Sequence, residues 1–243
     1  MRMPAMMRVT AGSNLPLKLF AVVAVVEVAA VTLGVPALQW ITRPLLVPLL
    51  IWFLIRKRQP DMVVYALAFA AAGEIALLIP NRGGLLTGMA FFLGTLICLT
   101  LAFLNRAKPL PAPSAFFALL AVSGNALFGD QWGALRVPML VYSLALAAMA
   151  AAAAGVSSFI AAGGALFLVS DVLTMLPNDD VKPVAVALHA AALALIVAGW
   201  ARPQDWPGSE RGGAEQPIRR SRTWAGHDAG GRVADDGAVY LSR

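Results

Sequence analysis

Two acidic residues sit inside apolar runs of this chain: Glu74 in AFAAAGEIALLIP and Asp171 in AAGGALFLVSDVLTMLP. A carboxylate in hydrocarbon is costly to keep charged, so it needs a partner, a proton or a wet cavity. Two carboxylates close together do not both ionise readily, and such a pair can divide into one general acid and one general base. Arg43, in the second apolar segment, offers a counter-charge to one of them and leaves the other over. The competing reading is structural. An Arg43–carboxylate pair could simply hold helices together, at a net energy near zero.

Other polar residues fall in the same apolar background: Asn125, His189 and Glu27. Glu27, in VVAVVEVAAV, reads either as a neutral hydrogen-bonded structural acid or as the lining of a cavity beneath the site. Cys98 is the only cysteine, so an intrachain disulfide is excluded, and no Cys/His spacing suggests zinc.

The elements that must position these residues are apolar helices. The chain is 59% hydrophobic and 13% charged, with a mean hydropathy of +0.74. Soluble domains carry about 25% charged residues, so the composition is that of a multi-span membrane protein. Apolar segments are marked near 17–38, 41–55, 62–79, 84–104, 112–128, 134–154, 157–176 and 183–200. The expected fold is therefore all-α and polytopic, with eight transmembrane helices over residues 1–200. The first segment reads as an anchor, since it runs straight on into further apolar segments. A polar tail, 201–243, is expected to be disordered and cytoplasmic. The loops are short, so any active site must be made by the bundle itself.

The net charge of +6 does not point to nucleic acid here, because the basic residues lie in loops and tails, where anionic lipid retains them. Arg56, Lys57, Arg58, Arg106 and Lys108 fall on one side with the termini, which predicts both termini in the cytoplasm of a cell-membrane protein. Under that topology the third and seventh segments run in the same direction. Glu74 and Asp171 are each five residues from the segment end, so they share a depth about 7–8 Å below the boundary. One polar layer then collects Arg43, Glu74, Asn125, Asp171 and His189.

These residues also carry a resemblance. From Tyr142 to Asp171 the chain follows a Tyr-x6-Met segment and a Gly-Ala…Phe…Ser-Asp segment, with Gly164, Phe167, Ser170 and Asp171 on motif positions. Arg43-Pro44, Gly73-Glu74 in GEIALL and Phe91–Thr95 in FFLGT align with further motifs. In these the chain resembles the lysoplasmalogenase-like, YhhN-type membrane proteins, over residues from roughly 15 to 200. The resemblance implies eight helices and hydrolysis of the vinyl ether bond of a lysoplasmalogen to a fatty aldehyde and a glycerophospho-base. It implies Glu74 and Asp171 as the catalytic carboxylates, with their roles unassigned between them. Read with that reaction, the polar layer and the motif positions offer Arg43, Asn125, His189, Ser170 and Tyr142 as substrate-binding groups, and the resemblance implies a lysophospholipid or related amphiphile as partner alongside membrane lipids, and no metal or cofactor. The chain departs from the family pattern in having Glu74 for Asp, Thr95 for His, His189 for Tyr, Leu193 for Gln or His, and Arg43 for Lys. A lipid carrier or binding protein, or an inactive family member, remains the alternative.

Overall fold

The computed structural model describes residues 14–57, 60–176 and 178–202. These hold eight α-helices: α1 (Leu15–Thr32), α2 (Pro36–Lys57), α3 (Met62–Leu77), α4 (Arg82–Leu104), α5 (Pro111–Phe128), α6 (Arg136–Ala154), α7 (Ser158–Thr174) and α8 (Lys182–Ala201). Short 3₁₀ segments, Gly129–Leu135 and Asp179–Val181, lead into α6 and α8. The expected tail, 201–243, lies outside the described residues beyond Arg202.

The expectation of eight transmembrane helices is corrected. Five helical stretches are long and apolar enough to cross a membrane: Leu15–Thr32, Pro36–Lys57, Arg82–Leu104, Trp132–Ala154 and Lys182–Ala201. The stretches Met62–Leu77, Pro111–Leu127 and Ser158–Thr174 are shorter apolar helices. Length decides this. The 16 residues of α3 rise only about 24 Å, against a hydrocarbon core of about 30 Å. Prolines and caps set the limits: Asp61 caps the start of α3, its side chain accepting from the Val63 amide at 3.0 Å, and Pro80 follows its end. Ser157 caps α7 in the same way. With five such stretches, the even span count no longer argues for both termini on one side.

The second helix also differs from its apolar segment. It begins at Pro36, five residues earlier than the segment read from the sequence, and continues through Pro44 and Pro48. Each proline removes one i→i−4 hydrogen bond, a cost the packed helix tolerates. The earlier start carries Arg43 about 7 Å further from the helix end than the sequence implied.

Seven helices close a ring. α1 packs on α2, α2 on α3, α3 on α4, α4 on α6, α6 on α7, α7 on α8, and α8 returns to α1. α5 packs on the outside of α6, and Ala121 is its one buried side chain among the described residues. In lipid, helices gain little from burying apolar surface, so close contact between small residues holds them together. The α7–α8 seam shows this: a Cβ on Gly163 would lie 2.7 Å from Ile196 Cγ1 and 2.9 Å from the Ala192 carbonyl oxygen. The α3–α4 seam repeats it, with Gly73 flat against the Phe92 ring. Fully buried Leu50, Leu54, Leu96, Phe103 and Phe167 fill the ring's interior.

Candidate active site

A cavity of about 370 Å³ opens inside the ring. All seven ring helices line it and α5 does not. Its titratable lining residues are Glu27, Arg43, Glu74, Tyr142, Asp171 and His189. Apolar side chains make most of the rest, among them Phe20, Val47 and Leu193 on one side of this set along the helices and Leu85, Met89, Trp132, Met139 and Met175 on the other. Trp132 reaches it from the 3₁₀ segment before α6, where Gly133 takes a positive φ of 49° that a side chain would strain.

The polar belt follows from helix ends. Glu74 lies three residues before the end of α3 and Asp171 three residues before the end of α7. Arg43 and His189 each lie seven residues into α2 and α8. These positions bring the four side chains to one level, one to two turns inside the same end of the ring.

The contacts form a chain. Tyr142 donates its hydroxyl hydrogen to Asp171 Oδ2 at 2.6 Å. His189 Nδ1 stands 4.0 Å from Asp171 Oδ1 and 3.5 Å from Ser170 Oγ. Its other nitrogen, Nε2, stands 3.3 Å from Glu74 Oε1. Glu74 Oε2 is 4.0 Å from an Arg43 terminal nitrogen. Arg43 Nε donates to Glu27 Oε1 at 2.8 Å, and the Thr42 hydroxyl donates to Glu27 Oε2. The imidazole is held edge-on to Phe92 and tilted against Phe167, with ring centres 5.7 and 4.7 Å away. Three carboxylates, one guanidinium and one imidazole therefore share one partly enclosed space. Such an arrangement can take up, hold and release protons next to an apolar compartment that suits a hydrocarbon chain.

Of the residues singled out in the sequence, the structure brings together Arg43, Glu74, Tyr142, Ser170, Asp171 and His189. Ser170 sits behind the cavity wall, fully buried, with its hydroxyl donated to the Phe167 carbonyl at 2.7 Å. Asn125 is not in this group. It lies on α5 and donates to Ser143 Oγ at 2.6 Å and to the Ala121 carbonyl at 2.7 Å. A shared depth along the helices says nothing about which helices enclose the cavity. Thr95 is buried against the Ala66 carbonyl, away from the cavity lining.

The residue that sequence reasoning undervalued is Glu27. It is fully buried and forms the closest ion pair of the site. The signal was present, an acid inside VVAVVEVAAV, but the late start assigned to the second helix put Arg43 too near the surface to meet it. Among the described residues, no group of three or more His, Cys, Asp or Glu is arranged to hold a metal ion.

The model of the YhhN family matches residues 38–201, more than half of the chain. The chain belongs to the YhhN family. No curated protein and no solved structure matches it. The YhhN match contains Arg43, Glu74, Tyr142, Asp171 and His189 and begins after α1, so Glu27 lies outside it. Membership of the YhhN family associates this multi-pass membrane protein with lipid modification, and points to a lipid or related amphiphile as its ligand class.

Proposed function

We propose that the protein hydrolyses a lysolipid within the membrane, cleaving the vinyl ether bond of a lysoplasmalogen to a fatty aldehyde and a glycerophospho-base. The observation that carries this reading is that Glu74 and Asp171 line one cavity, with His189 3.3 Å from the first and 4.0 Å from the second. Family membership supports the lipid class.

The reaction suits two carboxyl groups. One gives a proton to the outer vinyl carbon, which leaves an oxocarbenium-like carbon beside the ether oxygen. The other takes a proton from water as that water attacks this carbon, forming a hemiacetal. The hemiacetal then splits into aldehyde and alcohol. Nearby carboxylates also favour the positive charge of the intermediate. Arg43 is positioned for the lipid phosphate, and the methionines and Trp132 for the hydrocarbon next to the reacting bond.

The test is aldehyde release from a 1-alkenyl lysophospholipid by purified protein. Glu74→Gln and Asp171→Asn should each lower kcat by about 10²–10⁴-fold, with unchanged elution on gel filtration. A wild-type protein that cleaves no member of a lysolipid panel refutes the reading. Saturable binding without cleavage would instead make this a lipid-binding protein.

A further inference from the structure

We infer that His189 is a proton relay between Glu74 and Asp171, returning the proton that each turnover leaves on the wrong carboxyl. The inference rests on the hydrolase reading above and deepens it. In that reaction the acid ends deprotonated and the base ends protonated. Collapse of the hemiacetal moves one proton from its hydroxyl to the leaving oxygen and is neutral overall. When this collapse runs through water, the two carboxyls finish the cycle exchanged. Before the next substrate can react, one proton must pass from one carboxyl to the other.

The geometry offers one side chain for that passage. His189 Nδ1 is 4.0 Å from Asp171 Oδ1 and Nε2 is 3.3 Å from Glu74 Oε1. The imidazole takes a proton at one nitrogen and gives one up from the other, so both bonds broken are N–H or O–H bonds and no other reactant is needed. Exchange with water in the cavity restores the starting tautomer. Nε2 is buried and makes no aligned hydrogen bond, so it is not committed to a structural partner. Ser170 cannot replace it, because its hydroxyl is donated to the Phe167 carbonyl.

Charge gives a second, independent reason. Arg43 is engaged by Glu27 at 2.8 Å and stands only within 4.0 Å of Glu74. Its one fixed charge is thus shared between Glu27 and Glu74 and cannot move from one acid to the other. Tyr142 supplies a hydrogen bond to Asp171 but no charge. Of the titratable groups facing the pair (Glu27, Arg43, Tyr142 and His189), the imidazole is the one that can carry positive charge between the two acids and then lose it.

The experiment separates the first turnover from the later ones. Full-length His189→Gln and His189→Asn proteins are mixed with excess 1-alkenyl lysophospholipid, and aldehyde is followed from the first cycle onward. The expected result is that each variant's steady rate falls at least about 100-fold further below its own first turnover than the wild type's does. Added imidazole should restore much of the steady rate. A steady rate unchanged in both variants overturns the relay. So does an equal loss in first and later turnovers that imidazole does not repair, which would mark a structural role. If the wild type cleaves nothing, the hydrolase reading fails and the relay fails with it. A readout free of activity covers variants that do not fold. The chain has 2 histidines, so ¹⁵N-histidine labelling of a His227→Ala protein leaves one imidazole signal. Glu74→Gln and Asp171→Asn should each move both the Nδ1 and Nε2 shifts. A response to neither acid, or to only one, overturns the bridge.

Discussion

At the scale of single residues, the site is a set of polar groups, buried or partly buried, that depend on one another. Glu27 is fully buried, and both of its oxygens are occupied, one by Arg43 and one by Thr42. Removing one partner of a buried pair costs about 3–5 kcal/mol, because the other charge is left without compensation. Glu27→Gln should therefore lower the melting temperature in detergent, and Glu27→Gln with Arg43→Met should lower it by less than the sum of the single changes. Additive losses would mean that the pair is not coupled. The individual acids were legible in the sequence, because a charge inside an apolar run stands out whatever the fold. Their partners were less so. His189 was read at about the right level, but nothing in its local sequence says that its ring lies between two carboxylates carried by α3 and α7. Glu27 and Arg43 could not be paired until the true start of α2 was known.

At the scale of elements, two seams hold the acids in place. Gly73 lets α3 meet α4 one residue before Glu74, and Gly163 lets α7 meet α8 two turns before Asp171. The Cβ of Gly163→Ala would meet a backbone carbonyl that cannot rotate away. Such overpacking typically costs about 1–3 kcal/mol, and here it also displaces His189 from Asp171. Gly163→Ala should reduce both stability and activity. Gly124 on α5 has nothing within 4 Å of its Cβ position, so Gly124→Ala should be neutral or stabilise by up to about 1 kcal/mol through helix propensity. Paired melting curves check both, and equal effects would contradict the packing described. Far from the cavity, a different lock ties three helix ends together. Trp200 of α8 donates to Asp61 at the start of α3 at 2.6 Å, while the Arg106 guanidinium, past the end of α4, lies 3.0 Å over the Trp200 ring. The helical character of all eight segments was plain from their apolar content and bounding prolines. Which of them are long enough to cross a membrane was not, because apolar residues continue past the helix ends into turns. Ile79 is apolar yet lies outside α3, and Met175 lies outside α7.

At the scale of the whole molecule, the ring decides which polar residues can reach the cavity. Asn125 shares the level of the site but sits on the helix outside the ring. Asn125→Ala should leave kcat and KM within about twofold of wild type, since surface changes away from a site typically matter by less than about 0.5 kcal/mol. A large loss in a kinetic assay would place α5 nearer the chemistry than its packing on α6 implies. Ring membership is a non-local property, and no spacing within the sequence encodes it. The same closure has a consequence for biosynthesis. Among the described helices, α1 finds its second neighbour in the ring only in α8. α8 also brings His189 and the far wall of the cavity. Glu74 and Asp171 are therefore inserted before their shared neighbour exists. Until α8 is made, Glu74 has Arg43 beside it and Asp171 the Tyr142 hydroxyl, but neither has His189, and the site comes into being in the same step that seals the ring.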